Sequence, residues 1–212
     1  MKSYDAYLFD MDGTLVNSEP LKGKALALAC ETFGARIDYK IYKDVMGLDW
    51  MQVTSHFFKN ANISPNIDEF NQEFRKHYQQ LLSSELTLNS GAIELLRELQ
   101  SNGNPCALVS SAARWMIDSI TSQLGIEKLF DTIVSKEDVI EHKPAPEAYH
   151  LVIKKLGTTP GQSLIFEDSC AGVQAGIASG NDVIAVTHSF NKNHDFTGVI
   201  QTITNFRDFK YT

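Results

Sequence analysis

From Leu88 onward the chain alternates between short apolar runs and longer segments whose apolar residues recur every three or four positions. The runs Cys106–Val109, Thr132–Val134, SLIF at 163–166 and Asp182–Val186 have the length and apolar content of strands buried on both faces. Between them, Ala92, Leu95, Leu96 and Leu99 share one helical face. So do Met116, Ile117, Ile120 and Leu124, and then Ala148, Leu151, Val152 and Leu156. Ala6–Phe9 is a further strand of the same kind. Strand and helix in alternation predict an α/β fold, a doubly wound (Rossmann-like) parallel sheet.

Between Leu15 and Leu88 the strand signal vanishes. Leu21, Ala25, Leu28 and Ala29 form one helix face, and Val53 with Phe57 marks another helix. Ile67, Phe70, Phe74, Tyr78 and Leu81 repeat at spacings of three and four. The expectation is an all-helical cap domain, residues 17–87, inserted into a core made of residues 1–16 and 88–212.

Ligands of an open parallel sheet bind beyond the carboxyl ends of its strands, so the residues just past each run are the candidates for chemistry. Asp10 and Asp12 follow the first strand, Ser110 and Ser111 follow CALV, and Glu167 and Asp168 follow SLIF. Lys143, in EHKPAPEAY, lies in the loop after TIV. Carboxylates gathered from distant parts of a chain repel unless a cation joins them, and a few carboxylates with water suit Mg²⁺. Mg²⁺ with a lysine and a serine is a set that handles phosphate. Gly13, beside Thr14, lets backbone N–H groups approach an anion.

These residues carry a resemblance. Asp10-Met11-Asp12-Gly13-Thr14-Leu15 is similar to the DxDGT signature of the haloacid dehalogenase superfamily. Ser110, Lys143 and FEDSCAGVQAG at 166–176 resemble its second, third and fourth motifs, in the family's order. The subgroup most resembled is that of β-phosphoglucomutase and related sugar-phosphate phosphatases. The resemblance implies that Asp10 attacks phosphorus to form an aspartyl-phosphate and that Asp12 is the general acid and base. It implies Mg²⁺ held by Asp10, the backbone oxygen of Asp12, Asp168 and Glu167, the last directly or through water. It further implies that Ser110 and backbone groups near Asp12 and Ser111 hold phosphoryl oxygens, that Lys143 neutralises charge, and that the cap contacts the substrate.

Ser111 has a second reading as the cap of the following helix. Glu19, Lys22 and Trp50 are candidate substrate contacts in the cap, Trp50 with an equal claim to the core. The mutases of this subgroup keep a cap arginine shortly after a glycine and a histidine after the first motif. Here Asp49 and Trp50 stand near the first place and Lys22 near the second. This departure favours hydrolysis of a small phosphorylated metabolite over the alternatives, a phosphomutase or a catalytically silent binding protein.

Composition narrows the rest. The 212 residues carry a net charge of −7 without a lysine or arginine run, which argues against nucleic acid as partner. Cys30, Cys106 and Cys170 show no paired spacing. No run approaches the roughly 20 apolar residues of a membrane span, and the first residues lack a signal-peptide pattern. The expectation is a cytoplasmic monomer.

Overall fold

The computed structural model describes residues 3–210. The chain falls into two compact units: residues up to Val16 together with those from Leu88 onward, and Asn17–Thr87. After strand β1 (Ala6–Phe9), the second unit contributes helices α1 (Glu19–Thr32), α2 (Trp50–Ala61) and α3 (Ile67–Glu85). The first unit resumes with α4 (Ala92–Ser101), β2 (Cys106–Val109), α5 (Arg114–Leu124), β3 (Thr132–Val134) and α6 (Glu147–Leu156). It ends with β4 (Ser163–Glu167), α7 (Cys170–Ala178), β5 (Asp182–Val186) and β6 (Gln201–Ile203).

The helical unit is held by the predicted stripes. Phe70, Phe74 and Tyr78 are buried, with Phe74 and Tyr78 stacked at 5.4 Å; Leu82 rather than Leu81 completes the row. Asp49 accepts from Met51 N (2.9 Å) and Gln52 N (3.1 Å), so its carboxylate is the N-cap of α2. The acid near the position of a mutase arginine thus has a local structural reason.

In the other unit the six strands lie in the order β3-β2-β1-β4-β5-β6, and every pairing is parallel. This is the doubly wound order, whose direction of progression reverses at β1. Register decides what emerges there. Phe9 pairs with Leu108 on one side and Phe166 on the other. Asp10, Val109 and Glu167 therefore come abreast at the carboxyl edge. The row is locked beneath by Phe9 and Phe166, whose rings stack at 4.9 Å and 4°. Beyond β1 the ladder continues, Asp10 N donating to Phe166 O at 2.9 Å.

Two elements differ from the periodicity reading. The strand at SLIF extends one residue to include Glu167. The edge strand β6 gave no apolar run because Gln201 and Thr202 are exposed and only Ile203 is buried.

Candidate active site

Lys143 is the centre of the arrangement. Its ammonium has three N–H donors. They go to Asp10 Oδ1 (2.7 Å), Val109 O (2.9 Å) and Glu167 Oε1 (2.6 Å), the three residues that register sets abreast. The lysine comes from the loop before α6. That loop is held by Glu147, which accepts from the backbone N–H of Ile140 (3.1 Å) and Glu141 (2.6 Å). Burial works against the ammonium, but Asp10 and Glu167 outweigh it and keep Lys143 well above the ordinary lysine range.

Asp10, Glu167 and Asp168 are all buried and offer oxygens within 4.8 Å of one another. The Lys143 ammonium pairs with Asp10 and Glu167, and the three carboxylates, if all ionise, carry a surplus of negative charge over what it offsets. Burial raises the Asp10 carboxyl well above the usual carboxylate range. Lys143 opposes the rise, and Glu167 and Asp168 add to it. A divalent cation among these oxygens would offset the surplus, and an all-oxygen donor set suits Mg²⁺. The residues present fit such an ion.

Glu167 has a different part from the other two. Its Oε1 accepts from Lys143 and from Tyr149 Oη (2.9 Å). Its Oε2 accepts from Asp168 N (3.0 Å), Ser169 N (3.3 Å) and Ser169 Oγ (3.2 Å). Five donors on one fully buried carboxylate occupy its lone pairs and tie it to Lys143, which favours the reading in which it meets a metal through water. The start of α7 is shaped around it: a Cβ at Gly172 would lie 1.9 Å from Oε1.

Asp168 faces the other way. Its Oδ1 accepts from Thr14 Oγ1 (3.2 Å), and its Oδ2 lies 2.8 Å from His188 Nε2. Gly13 makes this approach possible. Its φ is +78°, and a Cβ there would sit 2.1 Å from Asp168 Oδ2. The N–H of Gly13 itself donates to Val16 O at 2.8 Å. Asn89 closes the same turn, its Nδ2 donating to Gly13 O (2.8 Å) and Thr14 O (2.7 Å).

Asp12 is buried in this turn, two residues beyond Asp10. Ser110 is buried after β2, and its Oγ accepts from Ala112 N at 3.0 Å. Ser111 is exposed and does not cap α5. The N-cap is Ala113, and Glu137 serves the helix end from outside by accepting from Arg114 N (3.0 and 3.2 Å).

The helical unit holds the three remaining candidates. Trp50 Nε1 donates to Asn71 Oδ1 (2.8 Å), and its ring lies 4.6 Å from Phe74, so it packs within that unit. Glu19 is buried and pairs with Lys22 at 3.4 Å, while its Oε2 has no hydrogen-bond partner.

Sequence reading missed His188, Tyr149, Asn89 and Asn191. His188 had a findable signal, since it lies just past β5 at the same sheet edge.

Comparison with known proteins agrees with this geometry. Residues 7–186 match the family of haloacid dehalogenase-like hydrolases. The chain is 30% identical over 204 residues to a bifunctional riboflavin kinase/FMN phosphatase of Arabidopsis thaliana, covering 96% of this chain and 54% of that protein. It thus spans about half of that relative's length. It is 29% identical over 188 residues to a phosphorylated carbohydrates phosphatase of Thermotoga maritima, covering 88% of this chain and 87% of that one. The crystal structure of CbbY from Rhodobacter sphaeroides in complex with phosphate shares the fold. Its TM-score is 0.85 at 22% identity, over 96% of this chain and 95% of that one. With a family match spanning most of its length and the acids of β1 and β4 gathered at the switch point of the sheet, the chain belongs to the haloacid dehalogenase-like hydrolases.

Proposed function

We propose that the protein is a Mg²⁺-dependent phosphatase that hydrolyses a small phosphomonoester, a sugar phosphate, through a phosphoryl group carried by Asp10. The observation that carries this reading is the buried cluster of Asp10, Glu167 and Asp168, two of which pair with the ammonium of Lys143. Phosphatase names among relatives that cover most of the chain support the reaction class, and the Thermotoga protein's name supports a carbohydrate phosphate.

Asp10, the backbone carbonyl of Asp12 and Asp168 would hold the ion, with Glu167 outside that set. Bound there, Mg²⁺ supplies Lewis-acid charge to a phosphoryl oxygen. Asp10 is kept in place by Lys143 and by its own backbone bond to β4, and a bound cation would favour the ionised carboxylate that attacks. In the first step a bond forms between an Asp10 oxygen and phosphorus while the ester P–O bond breaks. Asp12 gives its proton to the departing alkoxide. In the second, Asp12 takes a proton from water as the water oxygen bonds to phosphorus. The bond to Asp10 then breaks and inorganic phosphate leaves. Ser110, abutting the row at the end of β2, serves as a phosphoryl donor. Lys143 offsets charge on the phosphoryl oxygens throughout.

The test is phosphate release from a panel of sugar phosphates, nucleotides and phosphoglycolate, with Mg²⁺ or with chelator. Mg²⁺-dependent release, strongest on a sugar phosphate and abolished in Asp10→Asn, is expected. Release that persists in chelator, or normal turnover by Asp10→Asn, would contradict the reading.

A further inference from the structure

Asp168 is held by donors other than Lys143. The gripping residues come from the loop after β5, a segment with no part in the reaction described above. His188 Nε2 lies 2.8 Å from Asp168 Oδ2. The other ring nitrogen settles the tautomer. His188 Nδ1 accepts from the backbone N–H of Phe190 at 3.1 Å, so it carries a lone pair and the proton resides on Nε2. The contact is therefore an Nε2–H donation to the carboxylate. Among the described residues, His188 is not in the group of ligand atoms that could share one ion with Asp10. It stands behind Asp168.

The loop is built to hold that donor still. Asn191 is fully buried; its Nδ2 donates to Asp168 O (2.8 Å) and Val186 O (2.9 Å), and its Oδ1 accepts from His188 N (2.8 Å). One side chain thus ties the backbone on both sides of the contact, at Asp168 and at His188. Gly13 leaves room for it, since a Cβ there would lie 3.0 Å from His188 Nε2.

We infer that His188 is a positioning residue for the cation site: its Nε2–H fixes the rotation of the Asp168 carboxylate and so which oxygen is presented toward Asp10. This rests on Asp168 being a ligand of the bound divalent cation. A donor behind a ligating carboxylate changes metal affinity without touching the metal, by about 10–100-fold when removed.

Two substitutions separate this role from loop structure. In His188→Asn the short side chain can still accept from the N–H two residues on, as Asx turns do, but cannot reach Asp168. In His188→Gln an amide N–H can take the place of Nε2–H. Binding of Mg²⁺ alone to the chelator-treated protein is measured by titration calorimetry, and melting of the metal-free proteins is recorded alongside. The expected result is Mg²⁺ affinity weakened about 10–100-fold in His188→Asn and near wild type in His188→Gln, with metal-free melting lowered in His188→Asn by no more than the loss of one hydrogen bond to a buried carboxylate. Wild-type affinity in His188→Asn overturns the assignment. Equal losses of affinity in the two variants assign His188 to loop structure and overturn it as well. Failure of the wild type to bind Mg²⁺ would instead remove the cation site itself, and this inference with it.

Discussion

Replacing Asp10 by Asn should stabilise the metal-free protein while destroying its activity. At an effective dielectric constant of about 20, the 2.7 Å contact between Lys143 Nζ and Asp10 Oδ1 provides attraction on the order of 6 kcal/mol. Glu167 and Asp168 offer oxygens within 4.8 Å, and each repels by about 3.5 kcal/mol or more on the same scale, about 7 kcal/mol together. Attraction and repulsion nearly cancel, so the desolvation of a buried carboxylate is left uncompensated, in line with the raised Asp10 carboxyl. An Asn of the same shape removes both the repulsion and that desolvation, and Lys143 keeps Glu167 as partner. The gain should be about 0.5–2 kcal/mol, typical of relieving a functional group held against stability. For a chain of this size that is a rise in melting temperature of about 1–8 °C. The pH dependence has a definite sign. A carboxyl raised in the folded state favours folding under acid conditions, and that advantage is lost as pH rises through its folded value. The variant's advantage should therefore be small below about pH 4, where unfolded Asp is protonated, and full at alkaline pH. Melting is followed calorimetrically in chelator across pH. An Asp10→Asn protein that melts at or below wild type throughout the alkaline range would refute the charge accounting.

Lys143→Met should lower stability by about 3–5 kcal/mol, because it leaves Asp10 and Glu167 as buried charges without their partner; chemical denaturation checks this, and a change under about 1 kcal/mol would contradict it. Mg²⁺ affinity should rise with pH, since the raised Asp10 carboxyl must release its proton to bind the ion. Calorimetric titration in buffers of different ionisation enthalpy, repeated across pH, should show proton release on binding; no buffer dependence at any pH would contradict the assignment.

Much of this protein was legible in its sequence because the apolar runs locate the strands and the residues just past them locate the site. The runs at β1, β2, β4 and β5 are buried strands because they are apolar on both faces, while at the edge strand β3 only Val134 is buried. The edge strand β6 has one buried residue and carries no such signal. Asp10, Lys143, Glu167 and Asp168 stand out as motif residues, and register brings them together. Their division of labour was not legible. Glu167 and Asp168 are adjacent in sequence, yet one anchors Lys143 and the other turns toward Thr14 and His188. That difference comes from the end of β4, where successive side chains point to opposite sides. Tyr149 and Asn191 act by hydrogen bonds across 18 and 23 residues and belong to no motif. Asp49 shows the converse. An acid that stands near the place of a mutase arginine is also the N-cap of α2.

The central claim is that Asp10 carries the phosphoryl group, and rapid acid quench during the first turnover, with peptide mass mapping of the quenched protein, tests it most directly. With Mg²⁺ and the best substrate of the panel, a phosphoryl group should appear on the peptide containing Asp10. It should chase into inorganic phosphate as turnover proceeds and be absent from Asp10→Asn. Phosphate released while that peptide stays unmodified, with Asp10→Asn still active, would contradict the account.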